Sequence, residues 1–184
     1  SPVIHNNYYE LVRQNNIYLI FNVEEEYLEE VVKTFKILDI KGFNVTLPHK
    51  IKIIEYLDSI SDDAKILGAV NTVKNYNGKL IGYNTDGLGF LKSLELLNID
   101  VKNKTILVLG AGGAANAISI SLAMEGAKKI VVCNRTISKG KNLALRILRK
   151  FPKTMVEYDN LDLRNVEKEK INMIVNCTSV GMYP

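Results

Sequence analysis

Thr105-Ile-Leu-Val-Leu-Gly-Ala-Gly-Gly-Ala-Ala115 is the stretch on which the fold turns. Thr105 to Leu109 reads as a strand, Gly110 to Ala115 spells G-x-G-x-x-A, and Gly113 to Glu125 reads as a helix with its small residues facing inward. Strand, glycine turn and helix in that order form the setting of a dinucleotide fingerprint. Small residues let the backbone approach a pyrophosphate, whose charge then meets the unpaired amides and positive end of the helix. A tight turn without a ligand would use the same glycines, so the flanks decide. Lys129 to Cys133 reads as a second strand, Ile137 to Phe151 as a second helix, Thr154 to Glu157 as a weak strand and Asn172 to Asn176 as another. With these flanks, Gly110, Ala111, Gly112, Gly113 and Ala114 are expected to line a dinucleotide.

The end of the second strand selects the dinucleotide. An NAD site usually carries an acid about 20 residues on, to bond the ribose 2′-hydroxyl. Here the chain reads Val132-Cys-Asn-Arg-Thr136, with a guanidinium and no acid. Arg135, beside Asn134 and assisted by Thr136 and Lys139, could hold a 2′-phosphate by charge-assisted hydrogen bonds. NADP is therefore expected over NAD, and a surface arginine after a strand remains the alternative.

Upstream of the glycine turn, Gly82-Tyr-Asn-Thr-Asp-Gly-Leu-Gly-Phe90 closes one α/β unit and opens a helix leading to the next. Asn77-Gly78 between Val70–Val73 and Leu80–Tyr83 signals a tight hairpin. Leu88, Leu91, Leu94 and Leu97 recur at helical spacing, with Asn84, Thr85 and Asp86 supplying capping chemistry. Asp86 thus has two readings, a helix cap favoured by the dipole and a functional carboxylate. Further back, Ile17–Phe21 reads as a buried strand, Glu24–Leu38 as an amphipathic helix and Gly42–Leu47 as a strand. Pro48 opens a helix with Ile51, Ile54 and Leu57 on its apolar face, and Ser61 caps a short helix to Leu67. Strand and helix alternate throughout, which argues for layered α/β architecture.

Thr46 and Lys50 fall at the carboxyl end of the strand in Asn44-Val-Thr-Leu-Pro-His-Lys50, the edge where open α/β sheets bind ligands. Asn71 and Asp86 come from the ends of the hairpin unit. If Lys50 and Asp86 share a cleft, the pair can move a proton to and from a substrate hydroxyl as hydride passes to a nicotinamide. Taken singly, Lys50 also reads as a solvated helix lysine. His5 and His49 have no partner at ligand spacing and read as packing or surface residues, so no metal is expected.

The totals exclude other classes. With 184 residues, 24% charged and a net charge of +4, the balance forces neither nucleic-acid nor membrane binding. Arg146, Arg149, Lys150 and Lys153 read as a solvated helix end, with a polyanion site as the alternative. Cys133 and Cys177 lie in separate apolar runs, the pattern of free thiols in a reducing compartment, here the cytoplasm. No run reaches the roughly 20 apolar residues of a membrane span.

Seven motifs in order resemble the shikimate dehydrogenase family: Ser1-Pro-Val-Ile-His-Asn6, Asn44 to Lys50, Gly68-Ala-Val-Asn-Thr72, Asn84-Thr-Asp-Gly87, Gly110 to Ala114, Asn134-Arg-Thr136 and Asn176-Cys-Thr-Ser-Val-Gly-Met182. The resemblance implies NADPH-dependent reduction of 3-dehydroshikimate to shikimate in chorismate biosynthesis. Lys50 would then be the proton donor and acceptor, paired with Asp86. Ser1 and Thr46 would lie near the substrate carboxylate, with Asn71 and Asp86 on its ring hydroxyls. Asp62 would lie near the cofactor, and Thr178 and Ser179 on the nicotinamide side.

The implied architecture is two three-layer α/β/α units. Residues 1–84 would form an incomplete substrate domain with a mostly parallel open sheet, 85–100 a connecting helix, and 101–184 an incomplete Rossmann-like NADP-binding domain. The family's first strand, a serine two places before Ser1 and everything after Pro184 are lacking, so a trimmed fragment with little turnover of its own is expected. An NAD-preferring quinate/shikimate dehydrogenase, a folate-linked dehydrogenase and a non-catalytic dinucleotide-binding regulator are the competing readings. Monomer and homodimer stay open.

Overall fold

Each half of the chain contributes one four-stranded sheet. The computed structural model describes residues 1–163, 166–167 and 170–181, so Met182 of the last motif lies outside the described residues. The front half runs α1 (Pro2–Leu11), α2 (Leu28–Ile37), β1 (Gly42–Asn44), β2 (Ser59–Ile60), α3 (Asp62–Leu67), β3 (Thr72–Tyr76) and β4 (Lys79–Tyr83). Helix α4 (Asp86–Leu96) leads into β5 (Thr105–Leu109), α5 (Gly113–Met124), β6 (Lys129–Cys133), α6 (Ile137–Lys150), β7 (Met155–Asp159) and β8 (Met173–Asn176).

The rear sheet has the order β7-β6-β5-β8 and is parallel throughout. Its central strands are covered on both faces, which is why they read as unbroken apolar runs. Ile106, Val108, Ile130 and Val132 pack on one face against Ala115, Ile120, Leu143 and Ile147 of α5 and α6. Leu107, Val131 and Cys133 pack on the other. From β5 the chain winds outward to β7 and then crosses back to β8 on the far side of β5. The crevice at the carboxyl ends of β5 and β8 is thus the switch point where such sheets bind ligands.

The front sheet has the order β1-β3-β4-β2, with β1–β3 and β3–β4 antiparallel and β2–β4 parallel. It is mixed within this chain and not mostly parallel, because the Asn77-Gly78 turn folds β4 back on β3. Both turn residues have positive φ, 52° and 84°, as a two-residue hairpin turn requires. Leu28, Val32, Val45, Ile53, Val70, Val73 and Leu80 form its core.

Two expected elements of the front half differ. Ile17–Phe21 joins no sheet, and Ile17 and Ile20 are 73% and 74% exposed. Instead of a neighbouring strand, the side chain of Asn6 holds the backbone of Tyr18, accepting from its N–H at 2.7 Å and donating to its carbonyl at 3.1 Å. After β1 the chain turns through a cis Leu47–Pro48 bond into a 3₁₀ helix, Lys52–Tyr56. The tighter winding of that helix puts Ile53 in the core at 1% exposure and leaves Ile51 72% exposed, the reverse of the α-helical expectation for Ile51. Ser61 does cap α3, its Oγ accepting from Ala64 N–H at 3.2 Å.

The halves meet through α3, α4, α5 and α6. Arg146 and Lys150 are not simply solvated: Arg146 Nη2 and Asn116 Nδ2 donate to Leu67 O at 2.5 and 3.2 Å, and Lys150 Nζ donates to Ile66 O at 2.5 Å. These donors satisfy the carbonyls that end α3. Gly68 follows at φ 64°, where any Cβ would strike the Arg146 guanidinium. At Gly87 a Cβ would strike Ser121, so the glycine lets α4 lie close on α5.

Candidate active site

Three separate segments bring Lys50, Asn71 and Asp86 together. Lys50 lies in the turn after β1, and its carbonyl accepts from Val70 N–H at 2.8 Å, which fixes it beside the segment entering β3. Asn71 precedes β3, and Asp86 is the first residue of α4. Lys50 Nζ donates to Asp86 Oδ2 at 2.6 Å, and Asn71 Nδ2 donates to Asp86 Oδ1 at 2.7 Å. Both carboxylate oxygens are therefore engaged, with the lysine and aspartate side chains 22% and 32% exposed. The pair is thus partly accessible to solvent.

The orientation of Asn71 is fixed by partners that allow no alternative. Its Oδ1 accepts from the backbone N–H of Thr85 at 2.9 Å, so its Nδ2 must face Asp86. Thr85 is the N-cap of α4 but makes no side-chain capping bond, and Asn84 Oδ1 accepts from Asp86 N–H at 3.1 Å. The Asp86 carboxylate is thus turned away from the helix amides and toward Asn71 and Lys50. An ammonium held beside a carboxylate and partly exposed can give a proton to an adjacent oxygen and take one back.

Ser1 and Thr46 are exposed, and among the described residues neither side chain hydrogen-bonds to the Lys50–Asp86–Asn71 group. Asp62 lies fully on the surface in the first turn of α3, where Lys65 donates to it at 2.8 Å and holds its carboxyl below the usual range. The end of α3 that meets the rear half, at Leu67, is the opposite one. His5 stacks on Tyr18 with ring centroids 4.3 Å apart, and His49 Nε2 lies 2.8 Å from Val23 O.

In the rear half, Gly110 has φ 107°, and a Cβ there would lie 3.1 Å from Cys177 O in the chain leaving β8. Its N–H donates to Cys133 O at 2.7 Å, closing the turn over the end of β6. Gly112 is the N-cap of α5 and supplies no side-chain cap, so among the described residues no side chain caps the first amides of α5. Among the described residues, nothing lies within 4 Å of where a Cβ would stand at Gly112 and Gly113. Ala111 is half-buried and Ala114 exposed.

Asn134 braces the next loop, donating from its backbone to Asp159 O at 3.1 Å and from Nδ2 to Thr136 O at 2.8 Å. Arg135, Thr136 and Lys139 are exposed beyond it, and the Arg135 and Lys139 side chains make no hydrogen bond or ion pair among the described residues. Thr178 Oγ1 donates to Asn176 Oδ1 at 2.7 Å and accepts from Val180 N–H at 3.2 Å, shaping the loop beside Gly110. Ser179 is exposed on that loop. Tyr18, Asn44, Thr72 and Thr85 are further polar neighbours of the site. Asn44, Thr72 and Thr85 stand inside motifs quoted above, Thr85 only as capping chemistry, while Tyr18 is hidden in an apolar run.

A mixed α/β unit with an ammonium–carboxylate pair at its edge, joined by a helix to a parallel sheet with a glycine turn at its switch point, defines an α/β protein whose rear half is Rossmann-like. The chain belongs to the shikimate dehydrogenase family. The family model for the shikimate dehydrogenase substrate-binding domain matches residues 1–73, and that for shikimate/quinate 5-dehydrogenase matches residues 93–182. A shikimate dehydrogenase (NADP(+)) of Alkaliphilus oremlandii is 46% identical over all of this chain and 65% of its own length. A crystal structure of a shikimate dehydrogenase with NADP+ is similar with a TM-score of 0.92 and 44% identity, over all of this chain and 63% of that one. The Listeria monocytogenes shikimate 5-dehydrogenase, solved with shikimate and NAD, gives 0.92 and 34%, over all of this chain and 65% of that one. This chain thus spans about 65% of the length of such curated relatives.

Proposed function

We propose that this chain carries the catalytic pair and the cofactor cradle of an NADP-dependent shikimate dehydrogenase. In that reading the full-length protein reversibly reduces 3-dehydroshikimate to shikimate in the chorismate route to aromatic amino acids. The observation that carries it is the 2.6 Å Lys50–Asp86 pair with Asn71 on the second carboxylate oxygen. The names and bound ligands of the relatives support the substrate and the cofactor. Residues 1–84 act as the substrate domain, 85–100 as the connecting helix and 101–184 as the nucleotide domain.

Lys50 gives a proton to the ketone oxygen as it becomes a hydroxyl, and takes one from the hydroxyl in the reverse direction. Asp86 holds the ammonium in place through the 2.6 Å contact. Asn71 and Asp86 also face the ring hydroxyls, and Ser1 and Thr46 serve the substrate carboxylate. NADPH, when bound, supplies the hydride.

The residues present fit this cofactor. Gly110 has a left-handed φ and crowds Cys177 O, and among the described residues nothing stands over Gly112 and Gly113 and the Arg135 guanidinium makes no hydrogen bond or ion pair. Gly110, Ala111, Gly112, Gly113 and Ala114 would hold the pyrophosphate, and Asn134, Arg135, Thr136 and Lys139 the 2′-phosphate. Thr178 and Ser179 would line the nicotinamide side, with Asp62 at the periphery. The partners of this reading are small molecules and neither nucleic acid nor membrane; the protein works in the cytoplasm as a monomer or homodimer.

The test is an assay of the full-length protein with shikimate and quinate, each against NADP and NAD. Turnover fastest with shikimate and NADP is expected. Faster turnover of quinate with NAD would overturn the reading in favour of a quinate/shikimate dehydrogenase, and no turnover with any pairing in favour of a dinucleotide-binding regulator.

A further inference from the structure

A single file of side-chain hydrogen bonds runs from the far edge of the front unit to Asp86. Tyr18 Oη donates to Asn44 Oδ1 at 3.0 Å, and Asn44 Nδ2 donates to Thr72 Oγ1 at 3.1 Å. Thr72 Oγ1 donates to Asn71 Oδ1 at 2.9 Å, and Asn71 Nδ2 donates to Asp86 Oδ1. Every donor in the file points toward the aspartate. The direction is set by backbone groups with only one possible role: Asn44 Nδ2 also faces Asn71 O at 3.4 Å, and Asn71 Oδ1 accepts from Thr85 N–H. Neither amide can therefore be reversed without opposing two donors or two acceptors.

The backbone explains why these residues meet. Asn44, the last residue of β1, is the direct antiparallel partner of Thr72, the first residue of β3, so their side chains share one face. Tyr18 is delivered by α1, through the Asn6 clamp on its backbone and the His5 ring stacked on its own. That accounts for an extended segment that pairs with no strand yet holds a fixed place.

We propose that Tyr18, Asn44 and Thr72 are positioning residues, which lock the Asn71 amide and through it the Asp86 carboxylate in the rotamer that presents Lys50 to substrate. The inference rests on the proposed reaction for its kinetic readout, and on the Asn71 side chain for an independent one. Thr72→Val keeps the shape of the side chain and breaks the file at its middle; Thr72→Ser restores the hydroxyl. One hydrogen bond contributes a factor of about 2 to 10. In the full-length protein, Thr72→Val should lower kcat about 10-fold with the KM for NADPH unchanged, Tyr18→Phe about 3-fold, and Thr72→Ser should recover most of the loss. The side-chain amide NMR signals of Asn71 should move in Thr72→Val and return in Thr72→Ser.

Wild-type kcat in both Thr72→Val and Tyr18→Phe, or an unmoved Asn71 signal in folded Thr72→Val, would overturn the inference. If the unaltered protein fails to reduce 3-dehydroshikimate, the proposed reaction falls on its own and the Asn71 signals still decide whether the file exists. Should Thr72→Val fail to fold, Tyr18→Phe, at the outer end of the file, gives the same two readouts.

Discussion

The two halves of this chain hold their candidate chemistry in different material. In the rear half the prepared surface is backbone: a glycine at φ 107° against Cys177 O, and a helix start whose N-cap is another glycine. In the front half it is side chains from three segments, with Lys50 and Asp86 separated by 36 positions and Asn71 and Asp86 by 15. A backbone cradle needs only a local pattern, whereas a side-chain pair exists only once β1, β3 and α4 have packed. The rear half should therefore keep its ligand affinity through front-half mutations that abolish turnover.

The largest separation is expected from Lys50→Ala in the full-length protein. General acid–base groups contribute about 100- to 10,000-fold, so turnover of shikimate should fall by that factor while NADP affinity, measured by fluorescence titration, stays within about two-fold. Equal losses in both would mean that the halves do not divide the work as described.

The next test concerns the front core. Ile53 is 1% exposed and Ile51 72% exposed, so Ile53→Ala should cost about 2–5 kcal/mol in urea unfolding and Ile51→Ala less than about 0.5 kcal/mol. The opposite ranking would restore the α-helical reading of this segment.

That pair of isoleucines also shows how far the sequence could be read. Strands β5 and β6 were expected residue for residue, and α6 to within its last residue, because parallel βα units repeat one local pattern and bury their central strands on both faces. The Asn77-Gly78 hairpin was legible for the same reason: a two-residue turn with two positive φ values selects its own residues. Ile17–Phe21 was misread since an apolar run does not state whether a neighbouring edge exists to pair with it. Lys50 and Asp86 could be singled out, but their contact depends on packing, and each had an ordinary local explanation. Arg146 looked like a solvated helix arginine because its acceptor, Leu67 O, lies 79 positions away.

Arg135→Ala tests the rear half alone. A charge-assisted hydrogen bond contributes about 1.5–3 kcal/mol, so NADP affinity should fall about 10- to 100-fold while NAD affinity barely moves. A parallel loss of both cofactors would assign the guanidinium to folding and not to the 2′-phosphate.

The smallest expected effect is a contrast in pH dependence between the halves. Burial, followed by the charge of Asp159, pushes the Cys133 thiol from 9.0 up to about 11. Its folded value lies above its unfolded one, so its contribution to stability is fully present below pH 9 and is lost as pH rises through about 11. In the front half, the Leu80 N–H and then Lys36 hold the Asp58 carboxyl below 3.8. That contribution is present above pH 3.8 and is lost as pH falls through the lower folded value. Cys133→Ala should therefore flatten the alkaline limb of the unfolding curve without changing the acid limb, and Asp58→Asn should do the reverse. Melting temperatures taken from pH 3 to 11 on the three proteins would show it, since other titrating groups are common to all of them and cancel in the differences. An alkaline limb unaltered by Cys133→Ala would mean that the thiol ionises as easily in the folded sheet as in the unfolded chain, and that the second face of the rear sheet is wetter than its packing against Leu107 and Val131 implies.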